Sequence, residues 1–262
     1  MACFSYRGKS VFYEECGQGT PLIFLHGNTA SSKLFLPILA LYSGRYRCIC
    51  PDFLGNRRSD RVEAFPTDLW QDEGRQVIAL IRHLNCGKAC LVGTSGGAWA
   101  ALNAALECPE LVCAVVADSF DGRTLHDGFA EELMAEREAA KADAKARAFY
   151  EWCQGEDWEK VVALDTEALT RCAREGRPLF HRPLEEIRTP VLLMGSMEDR
   201  MCRKNLEEEY RAMAARMPGA SVHMMKRGGH PALLTNAVEA AEAAEAALEF
   251  LDACRRRKAG ET

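Results

Sequence analysis

Ser95 stands within Gly93-Thr94-Ser95-Gly96-Gly97, a serine with glycines two places before and two places after it. A serine hydroxyl attacks a carbonyl only when a base takes its proton, a carboxylate orients that base, and N–H donors receive the oxyanion. Of the six histidines, His230 in the run Lys226-Arg227-Gly228-Gly229-His230 is best placed to be the base. It follows an apolar strand pattern, and the glycine pair permits a close approach. His223 falls inside that strand, His83 in a helix, and His126 and His181 in or near a helical insertion. For the carboxylate, Asp199 closes the run Gly195-Ser196-Met197-Glu198-Asp199 and precedes the histidine, the Ser…Asp…His order of this motif class. Glu198 is its immediate rival, and Asp118, after the preceding strand, is the geometrically distinct alternative. His26-Gly27-Asn28 ends another apolar run. The backbone N–H groups of Asn28 and Gly96 are the candidate oxyanion donors, and one such donor contributes about 10²–10³ in rate. His26 itself is read as packing beneath that loop.

These residues need elements to hold them, and the sequence alternates between two periods. Ser10 to Cys16, Pro21 to Gly27, Tyr46 to Phe53, Lys88 to Thr94, Glu110 to Phe120, Pro190 to Ser196 and Ser221 to Arg227 read as strands. Between them come helical stretches. After Thr67, Leu69, Val77, Leu80, Ile81 and Leu84 make one stripe; others begin at Gly96, run from Asn205 to Met217, and start at Asn236. Continuous apolar strands alternating with helices predict a mostly parallel sheet covered on both faces. Ser95 then sits where a strand turns directly into a helix. The flanking glycines give that turn room, and the helix supplies unpaired N–H groups.

From residue 121 to about 183 the alternation stops, and the chain becomes helical and polar. The segment is too long for a simple connection and too aromatic for a disordered linker. It predicts a helical cap inserted into a core of residues 1–120 and 184–262. Phe120, at the edge of this segment, and Trp152 and Trp158 within it suit either a substrate pocket or the cap's own small core. Most charges there read as a solvated helix face, with Asp143 and Arg147 four apart.

Composition narrows the function classes. The 262 residues carry a formal net charge of −5, with 48% hydrophobic and 27% charged residues. An acidic balance argues against phosphate-backbone binding, so no nucleic-acid partner is expected. The only compact basic run, Arg255-Arg256-Arg257-Lys258, suits the C-terminal end of the last helix. The twelve cysteines are scattered, with no paired Cys-x-x-Cys and no His-x-x-x-His, so a zinc site is not expected. No stretch is apolar enough for a signal peptide or a membrane span. Reduced, buried thiols in a cytoplasmic protein without a membrane partner are the simplest reading.

Taken together, His26-Gly27-Asn28, the run Asp52 to Asp60, Gly93 to Gly97, Gly195 to Asp199 and Gly228 to His230 resemble an α/β-hydrolase fold enzyme, over nearly the whole chain outside the cap. The resemblance implies a three-layer α/β/α fold with a mostly parallel eight-stranded sheet and a cap after the sixth strand. It also implies a Ser95–His230–Asp199 triad acting on a small acyl substrate with water, without metal or organic cofactor. Arg57 departs from it, standing where the D-x-x-G-x-G-x-S motif has its second glycine. Dehalogenases and epoxide hydrolases of this fold attack with Asp, which Ser95 argues against. Carboxylesterases, lactonases, thioesterases, C–C bond hydrolases and proline-type aminopeptidases remain, the last needing a cap carboxylate such as Glu131, Glu132 or Asp157. An acyltransferase or a catalytically silent ligand-binding relative would keep the same residues.

Overall fold

Buried residues alternate along each central strand between two separate cores. Leu22 and Phe24 pack in one apolar cluster while Ile23 and Leu25 pack in the other. Cys48 and Cys50 join the first and Ile49 the second, as the period of two in an extended chain demands. The computed structural model that shows this describes residues 2–235 and 237–259; Asn236, where the sequence starts the closing helix, lies outside them.

Eight strands form one sheet: β1 (Ala2–Tyr6), β2 (Lys9–Cys16), β3 (Thr20–Leu25), β4 (Tyr46–Pro51), β5 (Ala89–Thr94), β6 (Val112–Asp118), β7 (Val191–Ser196) and β8 (Ala220–Met225). Their spatial order is β1-β2-β4-β3-β5-β6-β7-β8. The β1–β2 and β2–β4 pairs are antiparallel, and all others are parallel. Strand β1 is absent from the sequence reading because five residues with two buried side chains give little periodicity. Its partner is fixed by the turn at Arg7 and Gly8, whose φ values of 48° and 78° are those of a two-residue hairpin.

One face of the sheet carries α2 (Leu69–Leu84), α3 (Gly96–Glu107) and α7 (Leu206–Ala214); the other carries the short α1 (Leu39–Tyr42) and the long α8 (Ala237–Ala259). The fold is thus a three-layer α/β/α sandwich. None of the described helices is long and apolar enough to cross a membrane. The basic run lies at the C-terminal end of α8.

Between β6 and β7 come α4 (Phe129–Ala142), α5 (Ala144–Gln154) and α6 (Trp158–Arg174). In α4 the buried residues are Ala130, Leu133, Arg137 and Ala140, a single stripe at helical spacing with charged residues around it. The three helices share a small core of Ala140, Tyr150 and Val162, against which Trp158 packs with its ring stacked on Tyr150. Asp143 does not bind Arg147 through its side chain. It caps α5 by accepting from the Ala146 N–H at 2.8 Å, while the Arg147 guanidinium donates to the Lys141 carbonyl.

Because this core is small, its one stacked pair matters. Trp158→Ala should cost less than the roughly 3–5 kcal/mol of a fully buried aromatic, and the loss should fall on α4–α6 before the sheet. Limited proteolysis followed by mass spectrometry should find faster cleavage between residues 129 and 174. Unchanged cleavage rates would mean that the stacked pair does not hold these helices together.

Candidate active site

The site is built on loops at the C-terminal ends of the parallel strands, where open α/β sheets place their ligands. Ser95 links β5 to α3 with φ 53° and ψ −125°, a backbone that costs a side-chain-bearing residue about 1–3 kcal/mol. Its own N–H donates to the Asp118 carbonyl at 2.8 Å, tying the turn to β6. The glycines are explained by clearance. A Cβ on Gly93 would stand 2.1 Å from the Gly97 carbonyl oxygen, and one on Gly97 would stand 2.1 Å from that of Leu25. Only hydrogen fits at either position.

The loop after β3 passes directly over this turn. A Cβ on Gly27 would lie 3.3 Å from Ser95 Oγ, so the backbone leading to Asn28 runs against the hydroxyl. Gly96, the first residue of α3, has no carbonyl one turn back to receive its N–H. The Asn28 side chain fills the space that a side chain at position 96 would need, its Oδ1 only 2.2 Å from that Cβ position. The carboxamide is held on both sides: Trp70 Nε1 donates to its Oδ1 at 3.1 Å, and its Nδ2 donates to Asp165 Oδ1 at 2.8 Å. His26 lies underneath. Its Nε2 accepts from the Phe53 N–H at 3.0 Å, so Nδ1 carries the proton and donates to the Gly27 carbonyl at 2.8 Å. Burial lowers the pKa of this imidazole, which is occupied at both nitrogens and supports the loop.

Asp199 and His230 are brought together from the ends of β7 and β8. His230 Nδ1 meets Asp199 Oδ2 at 2.8 Å, with no exposure of the Asp199 side chain. Burial pushes the Asp199 carboxyl up. The hydrogen bond and charge of His230, with donors from the Met201 N–H and the Cys202 thiol, outweigh that and hold it below the usual carboxylate range. The loop geometry is set by Ser196, whose hydroxyl donates to the Gly228 carbonyl at 2.6 Å. Glu198 accepts from the Gly228 N–H at 3.3 Å and does not contact the ring. Asp118 is buried beneath the next turn, accepting from the Ser119 hydroxyl and from the Leu233 N–H. It pins the chain just after His230.

Ser95, His230 and Asn28 border one cavity of about 350 Å³. Trp70, Trp99 and Phe120 form an aromatic wall, with ring centroids 4.3 Å apart for the tryptophans and 5.3 Å for Trp99 and Phe120. The inserted helices contribute Leu133, Arg137 and Leu169. Phe120 borders this cavity, whereas Trp152 and Trp158 do not. Trp152 is exposed beneath the Lys33 ammonium, and Trp158 belongs to the small helical core. Of the acids considered for an amine, Glu132 borders the cavity beside His126, Asp157 is paired with Arg61, and Glu131 is exposed.

Several residues at the site are missing from the sequence reading. Trp99 stands one turn after Ser95, so helical spacing could have placed it on the serine's side of α3. Arg137 and Asp165 look like members of a solvated face but are buried, 3.6 Å apart, with Arg137 also donating to Thr29 Oγ1 and to Tyr150. Their pairing joins two helices and has no local signal. Arg57 occupies its glycine position with φ 43°. Its N–H donates to Gln154 Oε1 and its guanidinium to the Trp152 carbonyl, so the departure from the motif becomes a tie to α5.

The sequence profile of the alpha/beta hydrolase family matches residues 22–244, and the chain belongs to that family. Among curated proteins it is 37% identical over 107 residues to 2-(acetamidomethylene)succinate hydrolase of Mesorhizobium japonicum, 40% of this chain and 37% of that protein. It is 32% identical over 113 residues to haloalkane dehalogenase 2 of Mycobacterium bovis, 43% of this chain and 38% of that protein. The chain thus spans about two fifths of the length of these curated relatives. A solved meta-cleavage product hydrolase superposes with a TM-score of 0.75 at 21% identity, covering 96% of this chain and 97% of that one. An E-2-(acetamidomethylene)succinate hydrolase superposes with a TM-score of 0.71 at 22% identity, over 96% and 100%. At these identities the structures share the fold.

Burial raises the pKa of Asp118 to about 7, against the lowering effect of its two hydrogen bonds. In the unfolded chain it ionises near its ordinary value of about 4. The folded state therefore holds an extra proton between about pH 4 and 7, and stability falls as pH rises through that window. Asp118→Asn removes this dependence. The melting temperature of the variant relative to the original should climb from pH 5 to 7.5 and then level off. A constant difference would show that Asp118 is already ionised at pH 5.

Proposed function

We propose that the chain is a serine hydrolase that cleaves a small carboxylic ester, or a related acyl bond, through Ser95, His230 and Asp199. The observation that carries this reading is the 2.8 Å Asp199–His230 hydrogen bond on the same cavity that Ser95 borders from its strained turn. Asp199 holds the ring with its proton on Nδ1, leaving Nε2 free to accept. His230 takes the Ser95 proton as Oγ attacks the carbonyl carbon, and the oxyanion is received by the N–H groups of Asn28 and Gly96. The imidazolium then protonates the leaving group, and water activated by the same ring cleaves the acyl-enzyme. This chemistry requires no metal or organic cofactor.

The helices α4–α6 act as a cap that sets access and acyl choice, since Leu133, Arg137 and Leu169 supply the cavity's upper wall. Cysteines scattered along the sequence and mostly buried suit a reducing compartment, and we place the enzyme in the cytoplasm.

A second reading is favoured by the cavity's cations. Arg137 and Arg200 both border it, and the buried Nε of Arg137 has no hydrogen-bond partner. A substrate carrying a carboxylate would suit such a wall, cleaved by the same triad, and the name of the 2-(acetamidomethylene)succinate hydrolase gives that protein a substrate of this kind.

A kinetic series on short p-nitrophenyl esters and on carboxylate-bearing acyl amides tests both. Ser95→Ala should lose on the order of 10⁶ in kcat. Asp199→Asn, which keeps serine and imidazole but frees the tautomer, should lose about 10⁴. Glu198→Gln and Asp118→Asn should remain far more active than either. If Asp118→Asn is crippled and Asp199→Asn is not, the orienting acid belongs to β6.

A further inference from the structure

Beside the proposed triad lies a thiol that takes no part in the proposed proton transfers. Cys202 is buried in the turn after Asp199, and its Sγ stands 3.9 Å from His230 Nδ1. Asp199, Cys202 and His230 each offer one donor atom, and the three atoms all lie within 4.8 Å of one another. His230 is far along the chain from the other two, so no spacing in the sequence brings this set to notice.

The geometry points to a binding site for a borderline divalent cation, Zn²⁺ by preference, formed by Asp199, Cys202 and His230 and able to switch the hydrolase off. The inhibitory consequence rests on the triad reading given above; the binding does not. A carboxylate oxygen, a thiolate and an imidazole nitrogen form a donor set suited to zinc, at bond lengths of about 2.0–2.3 Å. Such bonds in a tetrahedron separate neighbouring donors by roughly 3.3–3.7 Å. The observed separations of 2.8 Å for nitrogen to oxygen and 3.9 Å for nitrogen to sulfur lie on either side of that range. Small side-chain rotations reach it. Access exists from two sides: Cys202 borders the cavity that holds Ser95 and also the outer cleft lined by Asp199, Gly228 and Gly229. Water takes the fourth position.

Binding changes the chemistry of the ring. The ion occupies His230 Nδ1 in place of its proton, which moves to Nε2, and the Cys202 thiol releases its own proton to solvent. Divalent cation, carboxylate, thiolate and neutral imidazole sum to zero charge, and one proton leaves per ion bound. Nε2 is then an N–H donor and cannot accept the proton of Ser95. Hard cations such as Mg²⁺ and Ca²⁺ have little affinity for a thiolate and should not act.

The test uses the full chain stripped of metal, with two readouts. Hydrolysis of a p-nitrophenyl ester is followed as Zn²⁺ is added, and Co²⁺ is titrated separately while its thiolate charge-transfer absorption is recorded. Zn²⁺ should inhibit, a chelator should restore the rate, and Mg²⁺ should have no effect. Cys202→Ala and Cys202→Ser, each first shown folded by its thermal melt, lose the thiol that donates to Asp199, so the Zn²⁺ response of each is read against its own metal-free rate. Both should raise the half-inhibiting Zn²⁺ concentration at least about tenfold, the lower end of the cost of losing even an outer-shell metal contact. Any Co²⁺ absorption from other thiols, such as the cross-strand neighbours Cys16 and Cys48, survives in these variants, so the difference spectrum isolates Cys202. Loss of the Cys202-dependent band with Cys202→Ala supports the site even if no ester is hydrolysed, in which case it is the triad reading that fails. A Co²⁺ spectrum identical in Cys202→Ala and the original chain, or equal Zn²⁺ sensitivity of the two, overturns the proposal.

Discussion

A serine whose backbone sits at φ 53° and ψ −125° cannot hold that conformation alone, and the rest of the site depends on what holds it. The hold is steric. β5 is buried along its whole length between β3 and β6, and α3 starts without an intervening loop, so the Gly97 position is pressed against the Leu25 carbonyl and Gly93 against Gly97. Any side chain larger than hydrogen at either position would open the turn. With the turn closed, Oγ faces the cavity, the Gly96 N–H lies at the helix start, and the loop from His26 to Asn28 has one path across it. The strain is paid for by the packing of three strands.

A second set of contacts joins the inserted helices to that loop. Asp165 holds the Asn28 carboxamide, Arg137 reaches Thr29, and Gln154 donates to the Ala30 carbonyl while accepting from the Arg57 N–H. Asp165 is buried, and burial raises its pKa against the lowering charge of Arg137 and the Asn28 hydrogen bond. The same helices that wall the cavity thus brace the loop carrying a proposed oxyanion donor. In the proposed mechanism, the cavity wall and the oxyanion loop are coupled through a few buried polar side chains, whose partners are costly to lose at low dielectric.

Much of this was legible in the sequence because it is local. The strand period, the glycines around Ser95, Gly228-Gly229 before His230 and the acid after β7 each announce themselves within a few residues. Strand β1 was not legible, since its five residues gain meaning only by pairing with β2 across the turn at Arg7 and Gly8. The cavity wall was legible in part: Phe120 closes an apolar run, but Trp152 and Trp158 are separated from the cavity by how three helices pack, which no single-helix stripe reveals. Arg137, Asp165 and Cys202 were hidden for the same reason. Each acquires its role from a partner far along the chain.

The central claim is that Ser95 is an activated nucleophile, and covalent trapping tests it most directly. A fluorophosphonate reacts with a serine whose proton is removed by a neighbouring base, and mass spectrometry of the tryptic peptide locates the adduct. The account predicts stoichiometric modification of Ser95, abolished in His230→Ala. Folded protein whose Ser95 remains unmodified would contradict it and leave a binding protein built on a hydrolase fold.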